Sequence, residues 1–291
     1  MKRTSVFALL LLLTAALSGL PADVRANTRT YYGEPEVMGH GTVRTYVRLD
    51  GNGAPIAIGV IFPKAMLEGL PAKRNTTSRC FDKNGNDKID EHGECEGDYE
   101  IKLSLPTALA SKPNLVVKWV GLNWNPEGHD PAGVYDLPHF DFHFYIVERS
   151  VIEGIRTGPC GFFINCDDYQ RALLPVPAKY VAPDHINVNA AVAQMGNHLM
   201  DSKSPELSAP PQRFTHTWIF GAYNSHITFY EPMITREFLL RQSNSCVPVK
   251  QPQGWELTGY HPTKYCMRYR PDTGEYTVSL EGLVYHKAEQ P

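Results

Sequence analysis

The sequence predicts a mainly β protein: a single barrel-like or sandwich domain with loop inserts and little helix. Three observations carry that prediction. Short runs that alternate between apolar and polar residues, or are apolar throughout, recur along the chain between turn signals. Tyr and Phe are plentiful at 15 and 12, and Gly and Pro at 23 each punctuate the runs. Apolar residues at helical spacing are scarce.

Residues 1–26 read as an export signal. Lys2 and Arg3 give a positive start, Phe7 to Leu20 is apolar and uncharged, and Val24-Arg25-Ala26 offers a cleavage site. The run is short for a membrane span, and no Cys follows it to make a lipoprotein. The expectation is a secreted or periplasmic protein starting near Asn27, with no membrane insertion after cleavage. A retained N-terminal anchor is the competing reading. The net charge of -3, from 28 basic and 31 acidic residues, gives no reason to expect nucleic acid or an anionic membrane surface as partner. No linker or internal repeat divides residues 27–291, so they read as one domain.

The first strands are "TVRTYVRL" (42–49), closed by the turn "DGNGAP", and "IAIGVIF" (56–62), apolar enough to be buried on both faces. "PKAMLEGLP" is at most a short helix. The acidic insert 80–95, "CFDKNGNDKIDEHGEC", follows. Asp82, Asn84, Asn86 and Asp90 fall at positions 1, 3, 5 and 9 of a calcium-loop pattern. Asp87 stands where that pattern has Gly, and Glu94 comes one residue after position 12. Two readings stay open: a weak, dockerin-like calcium site, or an Asx-rich turn clamped by cysteines.

"YEIKLSLP" (99–106) and "NLVVKWVGLNW" (114–124) read as strands, and the loop "NPEGHDPAGVYDLP" leads into "HFDFHFY". "GPCGFFINCDDYQRALLPVPAKY" combines a small cysteine loop with a helical turn. "FTHTWIF" and "HITFYEPM" form a hairpin through "GAYNS". "KYCMRYR" and "GEYTVSL" form another through "PDTG", within a C-terminal extension, residues 240–291. The six cysteines fall in local pairs, Cys80 with Cys95, Cys160 with Cys166 and Cys246 with Cys266, and export favours their oxidation to disulfides. Zinc held by thiolates is the alternative, weakened by the absence of any C-x-x-C pair.

Chemistry concentrates in "PHFDFHFY". Successive side chains of a strand point to opposite faces, so His139, Asp141, His143 and Tyr145 share one face. Phe140, Phe142 and Phe144 share the other, which needs a core. The Cα atoms of His139 and His143 would lie roughly 13 Å apart on a straight strand, so both reach one ion only across a bend. Further candidate ligands are His198 in "MGNHLMD" and Glu231 in "FYEPM", both read as lying at segment ends, with His129 and Tyr145 as possible additions. Two or three His with a carboxylate suit a divalent transition metal. The alternative is that these histidines satisfy buried hydrogen bonds or line an aromatic groove.

"GHDPAGVYDLPHFDFHFY", "MGNHLMD" and "FGAYNSHITFYEPMIT" resemble the motifs of a domain-of-unknown-function family of exported bacterial proteins, typified by a Thermus protein. The resemblance spans about Gly39 to Leu239 and implies a β-rich, barrel-like domain without an established reaction. It marks His129, Pro138, His139, Asp141, His143, His198, Glu231 and Pro232 as matching positions. Asn224-Ser225 stands where the family often has Asp-Gly, a departure confined to a turn.

No Ser-His-Asp order, phosphate loop or dinucleotide fingerprint points elsewhere. The sequence therefore reads as an exported, soluble protein that binds a metal or a small-molecule ligand. A metal-dependent enzyme, and a structural homo-oligomer of the envelope, are the alternatives.

Overall fold

A computed structural model describes residues 27–90, 93–109 and 111–290. The expected export signal, residues 1–26, lies outside them. In chain order the strands are β1 (Arg29–Tyr32), β2 (Glu36–Met38), β3 (Gly41–Leu49), β4 (Pro55–Pro63), β5 (Tyr99–Ser104), β6 (Trp119–Asn125), β7 (His139–Tyr145), β8 (Thr157–Cys160) and β9 (His185–Val192). They continue as β10 (Gly196–Asp201), β11 (His216–Tyr223), β12 (His226–Thr235), β13 (Ser245–Pro248), β14 (Gly259–His261), β15 (Lys264–Arg270), β16 (Glu275–Glu281) and β17 (Val284–His286).

Two antiparallel sheets carry the architecture. The first runs β1-β3-β4-β16-β15-β13, with β2 on the end of β3, and the second runs β5-β6-β7-β12-β11-β10-β9. Both sheets are open among the described residues, so the fold is a sandwich and not a closed barrel. The inner faces pack as the strand alternation demands. Phe140, Phe142 and Phe144 of β7 are fully buried against Val60 and Phe62 of β4 and Val278 of β16. Phe62 bridges the sheets, its ring stacked 6.5 Å from Phe142 and 5.6 Å from Tyr276. Each such aromatic contributes roughly 2–3 kcal/mol by leaving water.

Residues 240–291 are not an extension hung on the domain. Their hairpin enters the first sheet, with β16 paired to β4 through Val278↔Val60 and Ser279↔Gly59. Its apolar alternation (Tyr276, Val278, Leu280) was the sign of a central position. The strand expected over 114–124 begins only at Trp119, because Asn114 turns at φ 70 and Leu115 to Val117 enter the core outside the ladder. Asn224 and Ser225, at φ 52 and 67, make the two-residue turn between β11 and β12.

The outer face of the second sheet is covered by the 80–95 insert, the loop before β7, and a segment with helices α1 (Arg149–Glu153) and α2 (Cys166–Ala172). Under this cover lie two apolar clusters. One gathers Trp119, Tyr145, Ile155, Ile164 and Phe229; the other Tyr135, Met200, Phe214, Ile219 and Met233. Between them the same face is polar. Disulfides join Cys80–Cys95, Cys160–Cys166 and Cys246–Cys266, as expected for an oxidising compartment. No described helix is long and apolar enough to cross a membrane.

Candidate metal centre

Strand alternation and register assemble the polar patch. His139, Asp141 and His143 project from the outer face of β7, and Asn123 and Asn125 of neighbouring β6 lie opposite Asp141 and His139. On the other side of β7, β12 pairs at Phe229–Tyr230 and again from Met233, skipping Glu231 and Pro232. Pro232 has no N–H for the ladder, and the interruption falls beside His143. His198 arrives from β10, opposite Gly221 of β11. A Cβ on Gly221 would sit 2.0 Å from the Phe229 ring, which packs 4.9 Å from His143 and 5.3 Å from His198. The absent side chain makes room for that ring.

The expected ligands sort into two groups instead of one. His129, His139 and Asp141 converge, and separately His143, His198 and Glu231 converge; within each trio the ligand atoms lie within 4.8 Å of one another. In the first trio Asp141 Oδ1 is 3.1 Å from His139 Nε2, and Asp141 Oδ2 is 3.6 Å from His129 Nε2. In the second, Glu231 Oε1 is 3.3 Å from His143 Nε2, and Oε2 is 3.8 Å from His198 Nε2. The expected single site is thus not formed: β7 runs extended, without the bend that would bring His139 and His143 to one ion. His198 and Glu231 reach the patch from the middle of β10 and β12, not from segment ends. Here the Gly and Pro beside them mark a tight approach and a ladder gap, not the end of pairing. Tyr145 shares the face but joins neither trio; its ring stacks 4.0 Å from Trp119 in an apolar cluster.

All four imidazoles are oriented through Nδ1. The acceptors are Asp130 O at 2.7 Å for His129, Leu137 O at 2.6 Å for His139, Asn123 Oδ1 at 3.1 Å for His143 and Ala190 O at 2.7 Å for His198. An oxygen acceptor places a proton on Nδ1 and directs Nε2 at the carboxylates, the arrangement metal-ligating histidines use. His139 Nε2, Asp141 Oδ1, His143 Nε2 and Glu231 Oε2 are buried and have no hydrogen-bond partner among the described residues. Contacts of 3.1–3.3 Å between lone-pair atoms repel unless a proton or a metal ion lies between them.

Electrostatics separate the trios. Burial depresses His143 to about 3 and His198 to about 4, and it pushes Glu231 well above the usual carboxyl range. At neutral pH the second trio thus holds neutral imidazoles beside a Glu231 whose ionisation burial opposes. Burial would also lower His129 and raise Asp141, but Asp141 outweighs it on His129, and His139 first and then His129 outweigh it on Asp141. His129 rises to about 9, and Asp141 falls well below the carboxylate range.

Both trios face a cleft of about 830 Å³, whose lining includes His129, Asp141, His143, His198 and Glu231, with Ile186 and Val188 on an apolar wall. His139 lies behind, fully buried. Trp218 and Tyr230 stack at 5.8 Å on the inner face and belong to the core.

In the insert, Asp82 accepts from the amides of Gly85 at 2.7 Å, Asn86 at 3.3 Å and Asp87 at 2.7 Å. Buried Glu94 caps the amides of Lys83, Asn84 and Asp90. Asp87, in the position expected for Gly, takes the left-handed conformation at φ 61. These acids form no converging group among the described residues. Cys246, Cys266 and Glu281 do converge, but both sulfurs are committed to a disulfide.

Asn123, Asn125, Arg79 and Asp98 surround the trios and were not anticipated. The signal for the first two was the alternation of Asn in "GLNWN", which puts both amides on the buried outer face beside β7. No family model, curated protein or solved structure matches the chain.

Proposed function

We propose that this chain is an exported metal-binding protein, holding divalent transition ions in two neighbouring His₂–carboxylate trios on the floor of a cleft. The carrying observation is the set of buried ligand atoms without a hydrogen-bond partner among the described residues, Nε2 of His139 and His143, both anchored through Nδ1, and the carboxylate oxygens Asp141 Oδ1 and Glu231 Oε2. Leaving such atoms unsatisfied costs about 1–3 kcal/mol each, and an ion supplies the missing partner. Two imidazoles and one carboxylate are the donors of hydrolytic zinc centres and of non-haem iron centres. The disulfides and the charged, then apolar, N-terminus support export. The resemblance to the exported bacterial family belongs to this proposal and adds no reaction to it.

A second reading, a metal-dependent enzyme, is favoured by one feature. Three protein ligands leave coordination positions for water or substrate, and the cleft of about 830 Å³ admits a small molecule to them. A bound ion would supply Lewis-acid activation there.

The test is elemental analysis of protein purified without chelators or an affinity metal tag, followed by zinc, iron and manganese titration. The wild type is expected to take up transition metal. His143→Ala and His139→Ala should each lower the stoichiometry while keeping the native circular dichroism, because the phenylalanine face is untouched. A folded wild type that takes up no transition metal under any loading condition would reduce the motif to an aromatic strand with a buried polar side.

A further inference from the structure

The disulfide-clamped insert reaches the metal trio through a chain of buried side chains. Arg79 immediately precedes Cys80, and Asp98 follows Cys95, so the Cys80–Cys95 bridge gathers both at one place on the outer face of the second sheet. Their side chains are only 1% and 4% exposed, and the Arg79 guanidinium pairs with Asp98 Oδ2 and, at 3.1 Å, with Glu100 Oε2. The same Asp98 oxygen accepts from Asn123 Nδ2, and Asn123 Oδ1 accepts from His143 Nδ1 at 3.1 Å.

Each link dictates the next. Paired with a guanidinium, Asp98 Oδ2 is an acceptor, so Asn123 must turn its NH₂ toward it. That turns the amide oxygen toward His143. An oxygen there accepts a hydrogen bond from Nδ1–H, so Nε2 is left bare toward Glu231.

We infer that Arg79, Asp98 and Asn123 form a positioning chain by which the insert fixes the tautomer and orientation of His143, with Nε2 presented to the cleft. This gives the insert a role apart from calcium. It also gives a reason for a buried arginine, a costly feature that an apolar residue could replace if the insert only needed an anchor. The consequence for metal affinity rests on the metal-binding reading; the tautomer does not.

The experiment is long-range ¹H–¹⁵N NMR of the imidazoles in the metal-free full chain, beside zinc titration of the same samples. Wild type should show His143 neutral with the proton on Nδ1. Asn123→Leu, of similar volume but without an acceptor, should move the proton to Nε2 or mix the tautomers, and weaken zinc binding at this trio 10- to 100-fold. Asp98→Asn keeps an oxygen that can accept from Asn123 Nδ2 and should retain the wild-type tautomer, which an effect on folding alone would not explain. A wild-type His143 protonated on Nε2 would overturn the inference, whatever the variants do. So would an Asn123→Leu protein with unchanged tautomer and zinc affinity. A wild type with the Nδ1 tautomer that binds no zinc would overturn the metal reading and leave the positioning chain standing.

Discussion

Replacing Glu231 with Gln should have opposite effects in the absence and in the presence of metal. Glu231 is 1% exposed, and its Oε1 lies 3.3 Å from His143 Nε2. Burial raises its pKa well above the ordinary carboxyl range, so without metal the folded protein holds this proton more tightly than the unfolded chain does. The stability this proton carries is complete below the unfolded carboxyl value. It is lost as pH rises, at about 1.4 kcal/mol per pH unit, until the folded group itself ionises. Gln needs no such proton and can donate its amide N–H to His143 Nε2. In chelator, Glu231→Gln should therefore match the wild type near pH 4 and exceed it increasingly toward neutrality. The depressed His143 and His198 remain in both proteins, and to first order their pH terms cancel in the comparison. With metal the order reverses. Wild type at an ion concentration of 100 Kd gains about 2.7 kcal/mol, and the variant, lacking the anionic ligand, loses most of that gain. Urea denaturation from pH 4 to 8, with chelator and with zinc, reads both effects. A variant that follows the wild-type pH profile in chelator and keeps the full zinc stabilisation would refute the burial argument and the ligand assignment together.

Other expectations follow from the same geometry. His129, held near 9 by Asp141, must lose a proton to ligate, so binding at the first trio should release one proton at pH 7 and weaken roughly tenfold per unit as pH falls; calorimetry in buffers of different ionisation enthalpy measures it, and zero release would exclude His129 as a ligand. Gly221→Ala drives a Cβ into the Phe229 ring and should cost about 1–3 kcal/mol along with zinc affinity, whereas unchanged stability would show that the ring moves freely. The double substitution Cys80→Ser with Cys95→Ser opens a loop of 15 residues and should lower stability by about 3 kcal/mol, read by urea denaturation, and peptide mapping should recover all three local disulfides from the wild type. Calcium titration of the wild type and Asp82→Ala tests the insert: weak heat lost in the variant supports a cation site, and heat in neither returns the loop to an Asx-rich turn.

Much of this protein is legible without its tertiary structure, because its decisive signals are local. Period-two alternation sends His139, Asp141 and His143 to one face of β7 and three phenylalanines to the other. Loop-scale spacing makes the three disulfide pairs natural, and strand spacing sets His139 and His143 too far apart to share an ion unless β7 bends. What period two cannot say is which outer face is solvated. Here loops and two apolar clusters bury a polar face that alternation alone would leave wet. Nor could local signals find β9 and β10, whose Asn-rich and Gly-led sequences lack a strong strand pattern.

The sequence by itself determined the strand class, the two faces of the motif and the residue types able to hold a metal, and it favoured the local cysteine pairs without fixing them. Only the tertiary structure decided that His143 meets Glu231 and His198, that His129 joins His139 and Asp141, and that Arg79 reaches His143 through Asp98 and Asn123. It also placed the C-terminal hairpin inside the first sheet. The physical reason is range. Side-chain direction is set by neighbouring peptide units, whereas convergence depends on strand order and register between segments far apart in the chain, which the balance of packing over the whole sandwich selects.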